Sequence, residues 1–206
     1  MSLKSYLLSK PFCYDLFQEV VGARAARERF FGQYLSPNLQ PNSRVLDIGC
    51  GTGLLLNVLP SGIRYVGIDH SSEYLRVASE KWEGRGSFIR GDLADSLESS
   101  VKGRFDLVIA AGVFHHLPDD VLSRLCLSIA SVLEPQGRLV SFDPCFHIAQ
   151  PRLARLLVSA DRGQYVREDR ELETLLSRAF ARVQRETVDD FLRIPYSHCF
   201  MTCSSV

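Results

Sequence analysis

The sequence predicts an α/β fold: a seven-stranded, mostly parallel sheet with helices on both faces and a C-terminal antiparallel hairpin strand. Three observations predict it. Short apolar runs alternate with helix-spaced segments over residues 44–144, as in parallel sheets covered on both sides. A glycine-rich bend, GCGTG, follows the first run. After residue 144 two helical segments precede two extended runs joined by a proline-containing turn, the pattern of a terminal antiparallel pair.

Residues 12–35 read as one long helix, with Phe12, Leu16, Val20, Ala23, Phe30 and Tyr34 near helical spacing and arginine-rich faces between them. SPNLQPNS, 36–43, is a loop. Strands are expected over 44–48, 64–68, 86–90, 105–110 and 138–143. The helices between them are expected from about Gly53 to Leu59, from about Ser72 to Trp82, near 93–100 and over 119–133. In the last of these Leu122, Leu125, Ile129 and Val132 step by three, four and three. Helices at about 148–159 and 168–179 and strands over 181–190 and 196–204 complete the chain. No repeat, low-complexity tract or linker interrupts it, so 1–206 reads as one domain.

With 206 residues, 46% hydrophobic and 23% charged, the chain has the composition of one globular domain with a large core. Lys plus Arg and Asp plus Glu balance at 24 each. No long-range field therefore recruits polyanions, and nucleic acid is not an expected partner. No apolar run reaches the roughly 20 residues of a membrane span, and the start lacks a signal-type run with a cleavage site. Membrane is not an expected partner either. The six cysteines, Cys13, Cys50, Cys126, Cys145, Cys199 and Cys203, show no CxxC and no paired zinc spacing. Cys199 and Cys203 would lie about 13 Å apart along a strand, too far for a disulfide. Reduced thiols, a cytoplasmic location and a monomer or homodimer are the expectation.

In open parallel sheets ligands bind outside the carboxyl ends of the strands, at the switch in strand order. At those ends the sequence places Asp47 ahead of Gly49, Gly51 and Gly53, then Asp69 and His70, then Asp92, then Ala110, Ala111 and Gly112, then Asp143. Asp69 lies 20 residues beyond Gly49, where a carboxylate accepts from ribose hydroxyls in dinucleotide folds. The G-x-G-x-x-G fingerprint is nevertheless broken. Its sixth position is Leu54, and the glycines alternate as G-x-G-x-G behind an acid. An aspartate facing the site repels a pyrophosphate and suits a cationic ligand group.

VLDIGCGTG resembles motif I of the class I S-adenosylmethionine-dependent methyltransferases. YVGIDHS is similar to motif II with its ribose-binding acid, and IRGDL to the adenine-site motif. FDLVIAAGVFHHL and LEPQGRLVSFDP resemble the strands and loops that follow. The resemblance covers about residues 44–144 in order and spacing. It implies a Rossmann-like fold, S-adenosyl-L-methionine as cofactor with S-adenosyl-L-homocysteine as product, and a small-molecule methyl acceptor. It also implies that Gly49, Cys50 and Gly51 pass the methionine moiety, whose amino group is held by backbone carbonyls and through water by Asp47. Asp69 would bind both ribose hydroxyls, with His70 beside the ribose or adenine. Asp92 would accept from the adenine amino group, with the Leu93 backbone at the ring nitrogen, and Ala110 and Ala111 would line the floor. Residues 44–144 are then the cofactor-binding core, 1–43 an N-terminal helical lid, and 145–206 the substrate-side helices and terminal hairpin.

Methyl transfer from a sulfonium is an in-line displacement, so the protein positions the nucleophile and removes its proton. His115 and His116 follow strand four, beside the expected methyl position, and histidine is the usual general base near neutral pH. The AAGV sequence there lacks the polar-Pro-Pro-aromatic tetrad of amino-methyltransferases. Ala110 and Ala111 cannot supply the metal carboxylate of catechol-type enzymes. Metal-independent transfer to oxygen, or nitrogen, is expected. Tyr6, Tyr14 and Phe17 fall in the lid, with Tyr14 a candidate acceptor contact. In DRGQYVRED, 161–169, Arg162, Tyr165 and Arg167 either bind an anionic acceptor, since guanidinium forks match carboxylate and phosphate, or form a loop salt-bridged to Glu168 and Asp169. Tyr196 and His198 at the hairpin start are further candidates.

Two other classes stay open. An NAD(P)-dependent oxidoreductase is disfavoured by the glycine spacing and by Asp92. A non-catalytic S-adenosylmethionine- or nucleoside-binding module would keep Asp69 and Asp92 without an acceptor pocket. Aminopropyl transfer would require an acidic diamine motif after strand four, which is not evident.

Overall fold

Residues 22–93 and 97–205 are described by a computed structural model. The apolar runs become strands β1 Arg44–Ile48, β2 Arg64–Asp69, β3 Gly86–Arg90, β4 Phe105–Ala111, β5 Leu133–Pro144, β6 Arg182–Val188 and β7 His198–Ser204. They form one sheet in the order β3-β2-β1-β4-β5-β7-β6. The first five strands pair in parallel, and β7 runs antiparallel to both β5 and β6. Helices α1 Ala23–Phe30, α2 Ser72–Lys81, α3 Leu97–Ser100, α4 Asp119–Val132, α5 Arg152–Ser159 and α6 Asp169–Leu176 complete the layers.

Side chains alternate across a strand, and here both faces are apolar. Leu46, Ile48, Val108 and Leu139 point into a core closed by α4 and α6. Val45, Leu107, Ile109 and Val140 point into a second core closed by Ala26 and Phe30 of α1 together with Leu35, Leu55 and Leu56. That double covering explains why the central strands read as unbroken apolar runs.

Helix α5 starts at Arg152, after Pro151, and not at about 148, and three further elements differ from the sequence expectation. The helix expected from Gly53 to Leu59 is a single tight turn, Leu54–Asn57, because Pro60 disfavours helical geometry in the residue before it. Strand β5 starts at Leu133 rather than at 138: Leu133 pairs with Phe105, and the register then shifts before Arg138 pairs with Leu107. Pro135 has no backbone donor for that ladder. The N-terminal helix is described from Ala23, and beyond Phe30 it widens to a looser turn over Phe31–Leu35. Tyr6, Tyr14, Phe17 and Cys13 lie outside the described residues. The other five cysteines are buried free thiols. Among the described residues no helix is long and apolar enough to cross a membrane.

Ile109 is fully buried in β4, the strand between β1 and β5. Ile109→Ala is expected to lower unfolding free energy by about 2–5 kcal/mol, read from urea titrations. A midpoint unchanged from wild type would mean that this face is not packed.

Candidate active site

Strand order reverses between β1 and β4, so their connections leave on opposite faces and a crevice opens at their carboxyl ends. A cavity of about 420 Å³ occupies that crevice. Its first wall is the loop after β1. Gly49, Gly51 and Gly53 all have positive φ, at 69°, 55° and 72°, a conformation that side chains other than glycine rarely adopt. A Cβ on Gly49 would lie 2.7 Å from Val113, whereas one on Gly51 would meet nothing within 4 Å. The chain thus bends tightly and leaves open space beside Gly51.

Asp47 is buried beneath this loop and lines the cavity. The Tyr65 hydroxyl donates to its Oδ2 at 2.6 Å. Burial pushes the Asp47 carboxyl up to about 7, against the Tyr65 hydrogen bond and with a further push from Asp69. Asp69, at the end of β2, accepts from the Gly51 N–H at 2.9 Å and the Ser71 N–H at 2.8 Å. It joins the glycine loop to the start of α2. Cys50 packs into the space left by Gly67, and burial pushes its thiol up, which suits a packing group and not a nucleophile.

The opposite wall is a hydrogen-bonded array assembled from four segments. After β4, His115 Nδ1 lies 2.8 Å from Asp143 Oδ1, which also accepts the His115 backbone N–H at 3.1 Å. His115 Nε2 is 3.4 Å from Asp161 Oδ1. Asp161 also accepts from the Gly163 N–H at 2.7 Å and from the Tyr196 hydroxyl at 2.5 Å. Burial pushes Asp143 up against the pull of His115. At Asp161 burial acts in the same direction but is outweighed by Tyr196, Gly163 and both histidines, so this carboxyl is lowered. The His116 ring is tilted against that of His115, with centroids 4.0 Å apart, and partial burial, then His115, lower it to about 4.

The third wall is aromatic. His198 is buried at the start of β7, with Phe142, Phe191 and Tyr196 at ring-centroid distances of 5.7, 5.6 and 5.2 Å. Its Nδ1 is 3.1 Å from the Tyr196 carbonyl. A carbonyl only accepts, so Nδ1 carries the proton and Nε2 is the acceptor in the neutral ring. Arg27 of α1 and Arg162 beyond α5 bring positive charge to the lining.

The cavity therefore gathers Asp47, Gly49, Cys50, Gly51, Ala111, His115, His116, Arg162, Tyr196 and His198. Asp69, His70, Asp92 and Leu93 line the neighbouring flank along β2 and β3, outside the cavity; His70 and Asp92 are exposed and Leu93 is half-buried. Ala110 is buried in the core beneath. Tyr165 is exposed and does not line the cavity. Arg167 is not positioned to bind a ligand. It donates to Asp119 at 2.7 and 2.9 Å and to the carbonyls of Phe114, Leu117 and Tyr165. Nor does it pair with Glu168 or Asp169: Glu168 caps α6 and Asp169 pairs with Arg185. Sequence reasoning missed Asp161, Phe142 and Phe191. Asp161 stood in a segment already singled out, but His115 and Tyr196 reach it from two distant segments. Among the described residues no group of three or more His, Cys, Asp or Glu is placed to hold a metal ion.

A family profile described as "Methyltransferase domain" matches residues 45–137. A ubiquinone biosynthesis O-methyltransferase of Xanthomonas axonopodis pv. citri is 34% identical over 112 residues, 52% of this chain and 46% of that protein. The aligned part thus spans about half the length of that relative. An uncharacterized methyltransferase of Oceanobacillus iheyensis is 27% identical over 166 residues, 78% of this chain and 76% of that one. Among solved structures, a TehB-like S-adenosylmethionine-dependent methyltransferase of Corynebacterium glutamicum superposes with a TM-score of 0.66 at 16% identity, covering 95% of this chain and 98% of that one. At that identity the likeness is one of fold.

Burial holds His198 neutral, lowering it from 6.5 to about 4. Between those values the unfolded chain takes up a proton that the folded chain refuses. The His198 contribution is full above about pH 6.5 and is lost as pH falls to 4, on the order of 3 kcal/mol in all. Urea unfolding across this range is expected to show a shallower acid loss in His198→Gln than in wild type. Equal slopes would assign the titration to another group.

Proposed function

We propose that the chain is a class I S-adenosylmethionine-dependent methyltransferase acting on a small-molecule acceptor: a methyltransferase-domain profile matches residues 45–137, and the fold superposes over most of its length on a TehB-like S-adenosylmethionine-dependent methyltransferase. The observation that carries this reading is the cradle after β1: three glycines at positive φ, open space beside Gly51, and a buried carboxylate beneath. It fits a cofactor that brings a cationic amino group against a close-passing backbone.

S-adenosyl-L-methionine supplies an electrophilic methyl group on a sulfonium, leaving S-adenosyl-L-homocysteine as product. Asp47 would pair with the ammonium, and Arg27 would face the carboxylate. Asp69 keeps lone pairs beyond its two backbone bonds, which suits the ribose hydroxyls. Asp92 and the Leu93 backbone, with His70 nearby, would take the adenine side. Ala111 keeps the floor low beside β4, and Ala110 supports it from the core.

His115 would take the acceptor's proton on Nε2 while Asp143 holds Nδ1–H and fixes the ring. Oxygen is the favoured acceptor atom because a hydroxyl needs such a proton acceptor, and nitrogen is second. The Xanthomonas relative, an O-methyltransferase by name, supports that order. Activation by side chains and not by a metal fits Ala110 and Ala111, which offer no ligand at the β4 end. Residues 22–43 would form part of a lid over the core of 44–144, with 145–206 on the acceptor side. Buried free thiols fit a reducing cytoplasm, where the enzyme would act as monomer or homodimer.

Parallel calorimetric titrations with S-adenosylmethionine, S-adenosylhomocysteine and NAD are expected to show binding of the two sulfur cofactors. Binding of NAD alone would overturn the assignment in favour of an oxidoreductase.

Asp47, raised from 3.8 to about 7, must be ionised to hold an ammonium. Cofactor affinity should therefore tighten as pH rises through about 7, by up to about tenfold per pH unit below it. Asp47→Asn should flatten that profile. A wild-type profile that is flat from pH 5.5 to 8 would place the ammonium elsewhere.

His115→Ala should leave S-adenosylhomocysteine binding intact and, once an acceptor is in hand, slow turnover by roughly 10²–10⁴-fold. Undiminished turnover would remove His115 from the chemistry.

A further inference from the structure

The acceptor side of the cavity holds one charge and one wall that proton removal leaves unused. Arg162 lines the cavity from the segment between α5 and α6. It is an exposed residue at the cavity's edge, and its positive charge bears on both Tyr196 and His116. Among the described residues it makes no hydrogen bond or ion pair.

The acids that could neutralise it are engaged. Asp47 lies across the cavity and is held by the Tyr65 hydroxyl. Asp161, its neighbour in sequence, directs both oxygens inward, to Gly163 and His115 through Oδ1 and to Tyr196 through Oδ2. Asp189, behind the wall, is held by Ser197 and His147. An exposed guanidinium held by water and not by a protein anion is open to a ligand anion, and its planar fork fits a carboxylate.

The wall beside it is aromatic. Phe142, Phe191, Tyr196 and His198 all line the cavity, with Phe142 and Phe191 5.6 Å apart and both packed edge-on to His198. Leu192 and Ile194 extend the apolar surface. Such a wall takes a planar ring at low entropic cost, because the rings already brace one another.

We propose that the acceptor is a hydroxylated aromatic carboxylic acid. Its ring lies on the Phe142–Phe191–Tyr196–His198 wall, its carboxylate pairs with Arg162, and its hydroxyl is directed to His115. This rests on the methyltransferase reading and adds the substrate class. Arg162 is a specificity residue here: it selects the anion and leaves the cofactor untouched.

The test is calorimetry on the full chain saturated with S-adenosylhomocysteine. The probes are a panel of hydroxybenzoic and hydroxycinnamic acids, each paired with its neutral carboxamide. At least one acid is expected to bind about tenfold or more tighter than its amide, the scale of a hydrogen bond to a charged group. Arg162→Gln should abolish the preference while S-adenosylhomocysteine affinity stays at the wild-type value, and Arg162→Lys should keep part of it. Acid and amide binding alike in wild type, no acid binding at all, or an unchanged preference in Arg162→Gln would each overturn the proposal. Failure of S-adenosylhomocysteine to bind wild type would instead overturn the methyltransferase reading, and this proposal with it.

Discussion

The parallel pairing of β1 with both β2 and β4 constrains everything at the site. Three neighbouring strands end on one edge of the sheet, and the chain must leave β1 and β4 on opposite faces. The crevice between them exposes backbone N–H groups that no strand can satisfy, and orphaned donors there are costly. Carboxylates at the strand ends meet that need. Asp69 takes the Gly51 and Ser71 N–H groups, and Asp143 takes that of His115. The acids that first suggest a ligand therefore act on the protein's own turns, and the geometry they fix is what a ligand would meet.

Burial then sets apart acids that look alike in sequence. Asp47 and Asp143 are both buried and both raised, each with one side-chain donor opposing the shift. Asp161 sits less deeply, has more donors, and is lowered. His115 thus stands between a carboxylate that fixes its ring at Nδ1 and one that keeps its charge beside Nε2. A ring so held can accept a proton at one defined atom, and the cation formed would have an anion on either side.

Much of the fold was legible because its signals are local. Apolar runs, glycine spacing and the 3-4-3 step of α4 depend on residues a few positions apart. So does the cofactor loop: the acid ahead of alternating glycines showed the bend and its electrostatic preference, and the positive φ values at Gly49, Gly51 and Gly53 give that bend its form. The array around His115 was legible only in part. His115 stood out by position, but Asp161 and Tyr196 meet it through contacts that no spacing reveals. Arg167 shows the same limit from the other side. Its chemistry matched an anionic ligand, yet it is bound to Asp119 and three carbonyls, and most of those partners lie about fifty residues away in sequence.

Those bonds of Arg167 also divide the labour within one loop. With the Tyr165 N–H donating to the His115 carbonyl and Gly163 packed where a Cβ would strike the imidazole, residues 163–167 are fastened to the 114–117 turn that carries His115. Arg162 lies just before the fastened stretch, on the cavity side, with its guanidinium uncommitted. A substitution at 162 therefore leaves the contacts that hold His115 in place, whereas one at 163 or 167 disturbs the histidine first. The loop after β1 is held by partners 18 residues away, and the array around His115 by partners 28 residues away or more. That difference is why the glycine loop was legible in the sequence and the array around His115 was not.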